Sequence, residues 1–325
     1  MNRPTQRSRR PQQPPYPDDG IRPGGTDAGA PAIVGASEAA QLVRTAEALR
    51  RGGKFQDAQA SFRLALSGTY GRVADEDVCW ALWGQATSLR NRGKYAESSK
   101  LYISTMATAR SAGILLCERW CLAGLAEIDR MCGRLHPALR MHEELAALFR
   151  RENDSRGLGW ALSGLAQIHL NLGHTHEADN LFSEAEGIAN GIGDHISSAY
   201  AIRGRAEVAL RQEDLPLAGR LAQVARKAFE AVPYHVGTAY AVRTLSHVAL
   251  AERRFDAALA FAVEARDIFV RLKKPRGLAY MEQTFDAIAG FRNLAEGDEP
   301  RSSVTSQVSE GVWLAPLPGI ISPTS

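Results

Sequence analysis

The side chains able to do chemistry are few and widely spread. Cys117 and Cys121 stand four apart, one turn of a helix, with Cys132 further along, and spacing alone would let them share a metal. Zinc sites of this kind usually come from short loop pairs, so buried apolar cysteines are the better reading. His136 and His176 recur at equivalent positions, with His174 nearby, a pattern open to metal binding although solvated turn histidines are the default reading. There is no phosphate-cradling Gly loop, HExxH pair, nucleophile elbow or DNA-reading helix-turn-helix signature. Catalytic residues, metal and cofactor are therefore all expected to be none, and the chain is expected not to be an enzyme.

Composition narrows the class further. The 325 residues are 45% hydrophobic and 23% charged, and 39 Lys+Arg against 36 Asp+Glu leave a net charge of only +3. That balance makes nucleic acid an unlikely partner overall, and no apolar run approaches the ~18 residues of a membrane span. Four cysteines are too few to staple a chain of this size, which fits a reducing, cytoplasmic location. Residues 1–35 hold seven of the fifteen prolines and four early arginines, and residues 297–325 are Ser- and Pro-rich; both are expected to be disordered. Within the second tail, Val312-Trp313-Leu314 is a short apolar exception.

The intervening 36–296 segment repeats every forty residues without a gap. One column reads Trp80, Trp120, Trp160, Tyr200, Tyr240, Tyr280; four residues later come Gly84, Gly124, Gly164, Gly204, Thr244, Thr284. Small residues follow at Ala86, Ala126, Ala166, Ala206 and Ser246, then a Gly break at Gly53, Gly93, Gly133 and Gly173. Another small column, Ala58, Ser98, Ala138, Ala178, Ala218, Ala258, begins the next stretch. Each row thus carries two helices around a tight turn. First helices are expected near 37–51, 75–92, 115–132, 155–172, 195–212, 236–252 and 276–294, and second helices near 55–68, 95–111, 136–151, 175–190, 216–231 and 255–272. Glu213 and Arg253 depart from the Gly break, and Gly68-Thr69-Tyr70-Gly71 cuts the first row short.

On these columns the sequence resembles the tetratricopeptide repeat family, with Leu162 and Ala166 one turn apart, Gly173 closing the first helix and Ala178 early in the second. The resemblance covers about 260 residues, and the forty-residue rows exceed the family's usual length of about 34. It implies an all-α, right-handed α-solenoid of about six helix-turn-helix repeats, closed by a C-terminal capping helix. It further implies a concave groove lined by the first helices that binds a protein or peptide segment. The family's chaperone-binding members hold a terminal carboxylate with Lys and Asn; the equivalent column here is Gly or Thr, so an anchored acidic C-terminus is not the expected ligand.

Helical periodicity then sorts each first helix into two faces. Ala161, Leu162, Leu165 and Ala166 mark the packed one. The other runs Trp80-Gly84-Thr87-Asn91, Trp120-Gly124-Glu127-Met131, Trp160-Gly164-Gln167-Asn171, Tyr200-Gly204-Glu207-Arg211 and Tyr240-Thr244-His247-Ala251, and its polar members assign it to the groove. The binding candidates are Trp80, Trp120, Trp160, Tyr200, Tyr240 and Tyr280 with Glu127, Gln167, Arg203, Glu207, Arg211, Arg243 and His247. The rings either contact a ligand directly or pack on the preceding helix, and Arg203, Arg205, Arg211 and Arg243 make the far half of the groove basic or are simply solvated. On this reading Gly124 and Gly164 tolerate a larger side chain. The expected function is a non-enzymatic scaffold or regulator binding a protein or peptide. The alternatives are a ligand- or signal-peptide-sensing regulator, of transcription or secondary metabolism in a GC-rich bacterium, or an accessory subunit of an enzyme.

Overall fold

The computed structural model describes residues 38–51, 54–67, 75–232 and 234–296. Both tails, the Trp313 stretch and the loop at Gly68-Thr69-Tyr70-Gly71 lie outside the described residues. Thirteen helices follow one another among those described: α1 Glu38–Arg51, α2 Phe55–Leu66, α3 Asp75–Asn91, α4 Tyr95–Ser111, α5 Leu115–Met131, α6 Leu135–Arg151, α7 Ser155–Asn171, α8 Thr175–Gly191, α9 His195–Arg211, α10 Leu215–Ala231, α11 His235–Ala251, α12 Phe255–Arg271 and α13 Pro275–Glu296. Each lies within two residues of its expected bounds.

The turns explain the regularity. A left-handed residue recurs at Gly93, Gly113, Gly133, Asn153, Gly173, Gly193, Glu213, Arg253 and Lys273, so second-to-first turns use the same device as the Gly breaks. The N–H after it bonds back five residues, as in Lys94 to Leu89 (3.0 Å), Asp154 to Phe149 (2.9 Å) and Arg254 to Ala249 (2.8 Å), which satisfies carbonyls that the helix end would otherwise strand. Asp154, Asp194 and Asp214 add N-caps, each accepting a backbone N–H at 3.0 Å. Glu213 and Arg253 adopt φ of 62° and 57°, a conformation that costs a side chain about 1–2 kcal/mol. Replacing exposed Glu213 by Gly is expected to raise stability by about 0.5–1 kcal/mol, read as a higher denaturation midpoint.

The two small-residue columns face each other. Ala86, Ala126, Ala166, Ala206 and Ser246 are fully buried, as are Ala58, Ser98, Ala138, Ala178, Ala218 and Ala258. Where Ser replaces Ala, its hydroxyl donates across the contact: Ser98 Oγ to the Ala86 carbonyl and Ser246 Oγ to the Ala258 carbonyl, both at 2.7 Å. Ala166→Leu or Ala206→Leu is therefore expected to overpack the helix pair and cost about 1–3 kcal/mol in chemical denaturation.

Between repeats, rings enter glycine gaps. A Cβ on Gly84 would stand 2.4 Å from the Phe62 ring, on Gly124 2.3 Å from Tyr102, on Gly164 2.1 Å from His142 and on Gly204 2.4 Å from Phe182. In the last two rows both columns switch together, to Ala222 with Thr244 and Ala262 with Thr284. A second column obeys the same rule: Phe149, Phe229 and Phe269 fill Gly157, Gly237 and Gly277, whereas Ala109 and Ala189 align with Cys117 and Ser197. A ring in one column thus goes with glycine in the other, and an alanine with a larger partner, so that the two columns trade size as close packing requires.

Each odd-numbered helix also packs on the next odd-numbered one, from α1–α3 through α11–α13, so the odd helices line the inside of the curve. The result is an α-solenoid whose last helix caps the stack. Its ends meet: the Lys274 ammonium, in the turn before α13, sits 4.1 Å from the centre of the Phe55 ring at the start of α2. Across the same junction, Arg276 is the largest influence opposing the burial that raises the Tyr95 phenol above its ordinary range.

Candidate functional site

The stripe assigned to water is largely buried. Trp80, Trp120 and Trp160 belong to the core, as do Gly84, Thr87, Gly124 and Gly204. Trp120 packs on Phe149 at 5.3 Å and Trp160 at 5.7 Å, and Trp160 stacks on His142 at 4.9 Å. The physical reason is that an odd helix has neighbours on three sides: the second helix of its own repeat, that of the preceding repeat, and the next odd helix. The glycines are where the preceding repeat's rings enter, so Gly124 and Gly164 have no room for the larger side chains they were expected to accept.

The tyrosine half of the ladder differs. Tyr200, Tyr240 and Tyr280 stay partly exposed on α9, α11 and α13, each with one side on its neighbours: Tyr200 on Phe229 at 4.9 Å, Tyr240 on Phe269 at 5.0 Å and on Tyr280 at 6.3 Å. Arginines fill the spaces between the rings. The Arg203 guanidinium lies 5.8 Å from the Tyr200 ring centre and 5.7 Å from that of Tyr240; Arg243 and Arg276 lie 5.0 and 5.4 Å from Tyr280. Such cation–π contacts hold the guanidinium planes without consuming their N–H groups. Arg203 also pairs with Glu207, one turn on. Arg243 Nε donates to Thr284 Oγ1 at 3.1 Å, Arg276 Nε to the Tyr280 hydroxyl at 2.9 Å, and His247 Nε2 bonds Thr284 Oγ1 at 3.2 Å.

Glu127 carries charge from the facing wall. Burial alone would raise its carboxyl, but the charge and hydrogen bonds of Arg130, at 2.6 and 2.8 Å, with the fields of Arg90 and Arg276, hold it down to about 2. Arg276 comes from α13 and Glu127 from α5, so curvature brings distant repeats onto one inner surface. Among the remaining candidates, Gln167 hydrogen-bonds Asn171 (3.4 Å) within its own helix, and Arg211 is partly buried near Glu207. Arg205 points elsewhere, pairing with Asp179 and Glu186 on α8 at 3.1 Å each, which removes it from the basic half of the groove. Sequence reasoning did not single out Arg276 and Thr284, which the structure brings among the tyrosines. Thr284 stood visibly in the Gly/Thr column, whereas Arg276 shares its column with unrelated residue types and gave no signal.

Cys79, Cys117 and Cys121 are buried, and burial raises the Cys79 thiol to about 11. The described residues contain no metal-holding group of three or more His, Cys, Asp or Glu side chains. No described helix is long and apolar enough to cross a membrane.

No family model and no curated protein matches the sequence. Solved structures do match in shape. A Rap protein complexed with competence and sporulation factor is 13% identical with a TM-score of 0.52, over 80% of this chain and 87% of that one. Aspartyl phosphate phosphatase F from Bacillus subtilis is 12% identical at 0.50, over 82% and 86%. A signal-transduction ATPase with a tetratricopeptide repeat sensor from Pyrococcus horikoshii is 14% identical at 0.52; the match spans 79% of this chain but 39% of that one. By fold the protein is a tetratricopeptide-type α-solenoid, a class of helical repeat protein that presents an extended concave surface. Identity this low speaks for the fold alone.

Proposed function

We propose that the protein is a non-enzymatic regulator or scaffold that captures a peptide, or an extended segment of a partner protein, on the inner face of the solenoid. The observation carrying this reading is the set of partly exposed tyrosines with guanidiniums stacked among them on the inward-facing helices α9, α11 and α13. Rigid aromatic rings give contact area at low entropic cost, and Tyr and Arg are among the residues enriched where binding energy concentrates. A similarly shaped Rap protein is described in complex with a competence and sporulation factor, which supports capture of a partner by this architecture.

The test uses a photo-crosslinking amino acid at Gln283, in the column of Arg203 and Arg243, or at the outer residue Ile103, which is 54% exposed. In the native host, a discrete crosslinked partner is expected from Gln283, mapping to one short segment and lost when Tyr240 is changed to Ala. Crosslinks from Ile103 alone would place binding on the convex side and end the proposal.

A further inference from the structure

Around Tyr240 and Tyr280, guanidiniums outnumber the carboxylates paired with them among the described residues. Arg203, Arg243 and Arg276 come from three different odd helices and gather about these two rings, whose centres are 6.3 Å apart. Only Arg203 has a carboxylate within ion-pair distance, Glu207, while Glu207 and Glu127 reach Arg243 and Arg276 only as longer-range fields. Arg243 and Arg276 each make one hydrogen bond through Nε, to the neutral hydroxyls of Thr284 and Tyr280. A guanidinium carries five N–H donors, so the Nη groups of both arginines remain for another acceptor. Burial works against the Arg243 charge, pushing that group below its ordinary value. Arg243 feels the repulsion of Arg203 and Arg276 that of Arg130, so both cations, partly withdrawn from water, gain from an added anion.

We infer that this corner of the inner face is an oxyanion site, in which the Nη groups of Arg243 and Arg276, flanked by Arg203, bind a carboxylate or phosphate carried by the captured ligand. The chemistry fits because guanidinium forks match planar carboxylates and phosphates bidentately, and the tyrosine rings fix the forks in advance. The arginines lie outside the Gly/Thr column in which a carboxylate clamp was sought, which is why its absence there does not exclude an anion here. This inference rests on the inner-face reading above, and it adds the sign of the ligand.

The experiment is calorimetric titration of the full chain, at low salt, with inorganic phosphate and with a penta-glutamate peptide. Saturable binding of at least one probe is expected, weakened at least tenfold in Arg243→Gln and Arg276→Gln and unchanged in Arg150→Gln, an outward residue paired with Glu184. Phosphate binding without glutamate binding assigns the site to a phosphate group, and the reverse to carboxylates. Binding of neither probe, or binding that all variants retain, overturns the site. If a Gln variant fails to fold, Arg243→Lys keeps the charge but loses the fork, and a phosphate-dependent thermal shift in the unmodified protein supplies the readout. Failure is distinguishable from failure of the inner-face reading: a partner still crosslinked at Gln283 with unchanged affinity in the Arg243→Gln/Arg276→Gln double variant removes the anion site alone.

Discussion

Phe182→Ala and Gly204→Thr should each destabilise the protein severely, and together should cost far less than their sum. The first deletes a buried ring, about 3–5 kcal/mol. The second forces side-chain atoms into a ring that already stands 2.4 Å from the Cβ position, about 1–3 kcal/mol or more. Made together, they rebuild in the fourth and fifth rows the pairing that the sequence itself uses at Ala222 with Thr244 and at Ala262 with Thr284. A double-mutant cycle by urea denaturation is expected to give a favourable coupling of about 2–3 kcal/mol. Simple additivity would mean that the two columns do not exchange volume, and the interlock described here would be wrong.

Acid should unfold the protein earlier than its carboxylates alone require, through His142. Burial depresses this imidazole to about 4, with Glu127 opposing the shift and Arg130 adding to it. Its ordinary value near 6.5 applies in the unfolded chain. At neutral pH both states are unprotonated; as pH falls through about 6.5 the unfolded chain takes up a proton that the native state refuses until about 4. Stability is therefore lost across that window, by about 3 kcal/mol from this residue at its lower end. Buried His247, also pushed below its ordinary value, acts in the same direction, and Glu127 adds its own loss only below the ordinary carboxylate range. His142→Phe copies Phe62 and Phe182 in the same column. The stability difference between variant and parent, measured at pH 7 and pH 4, is expected to widen by that amount in favour of Phe. Parallel curves would show that His142 takes up its proton normally in the folded protein.

The fold was legible because each of its contacts recurs. A column such as Ala86 to Ser246 is one helix crossing written five times, and no single row would have revealed it. The same redundancy misled the face assignment. A helical stripe of Gly, Thr, Glu and Gln reads as solvent-facing if a helix has one packed side, but the odd helices α3, α5, α7, α9 and α11 are enclosed on three, and Gly84 or Gly124 marks a ring arriving from the helix before. That partner column, Phe62, Tyr102, His142, Phe182, was readable in the sequence, yet its mixture of types hid it until the volume exchange with Gly and Thr was seen. Arg276 was illegible for a different reason. Its reach into the field of Glu127 depends on the rotation accumulated over several repeats, which no local pattern encodes.

The contact of Lys274 with Phe55 changes what kind of object the repeat array is. An open array can lose or duplicate a unit and merely become shorter or longer, since each unit answers only to its neighbours. Here the two ends are also neighbours, so inserting one more forty-residue unit anywhere would carry them past each other and pull Arg276 away from Glu127. Selection acting on the inner face would then act on the number of units as well. Such a chain can diversify by substitution within its rows far more easily than by copying them, which is consistent with rows that keep their length to the residue while trading phenylalanine for alanine inside it.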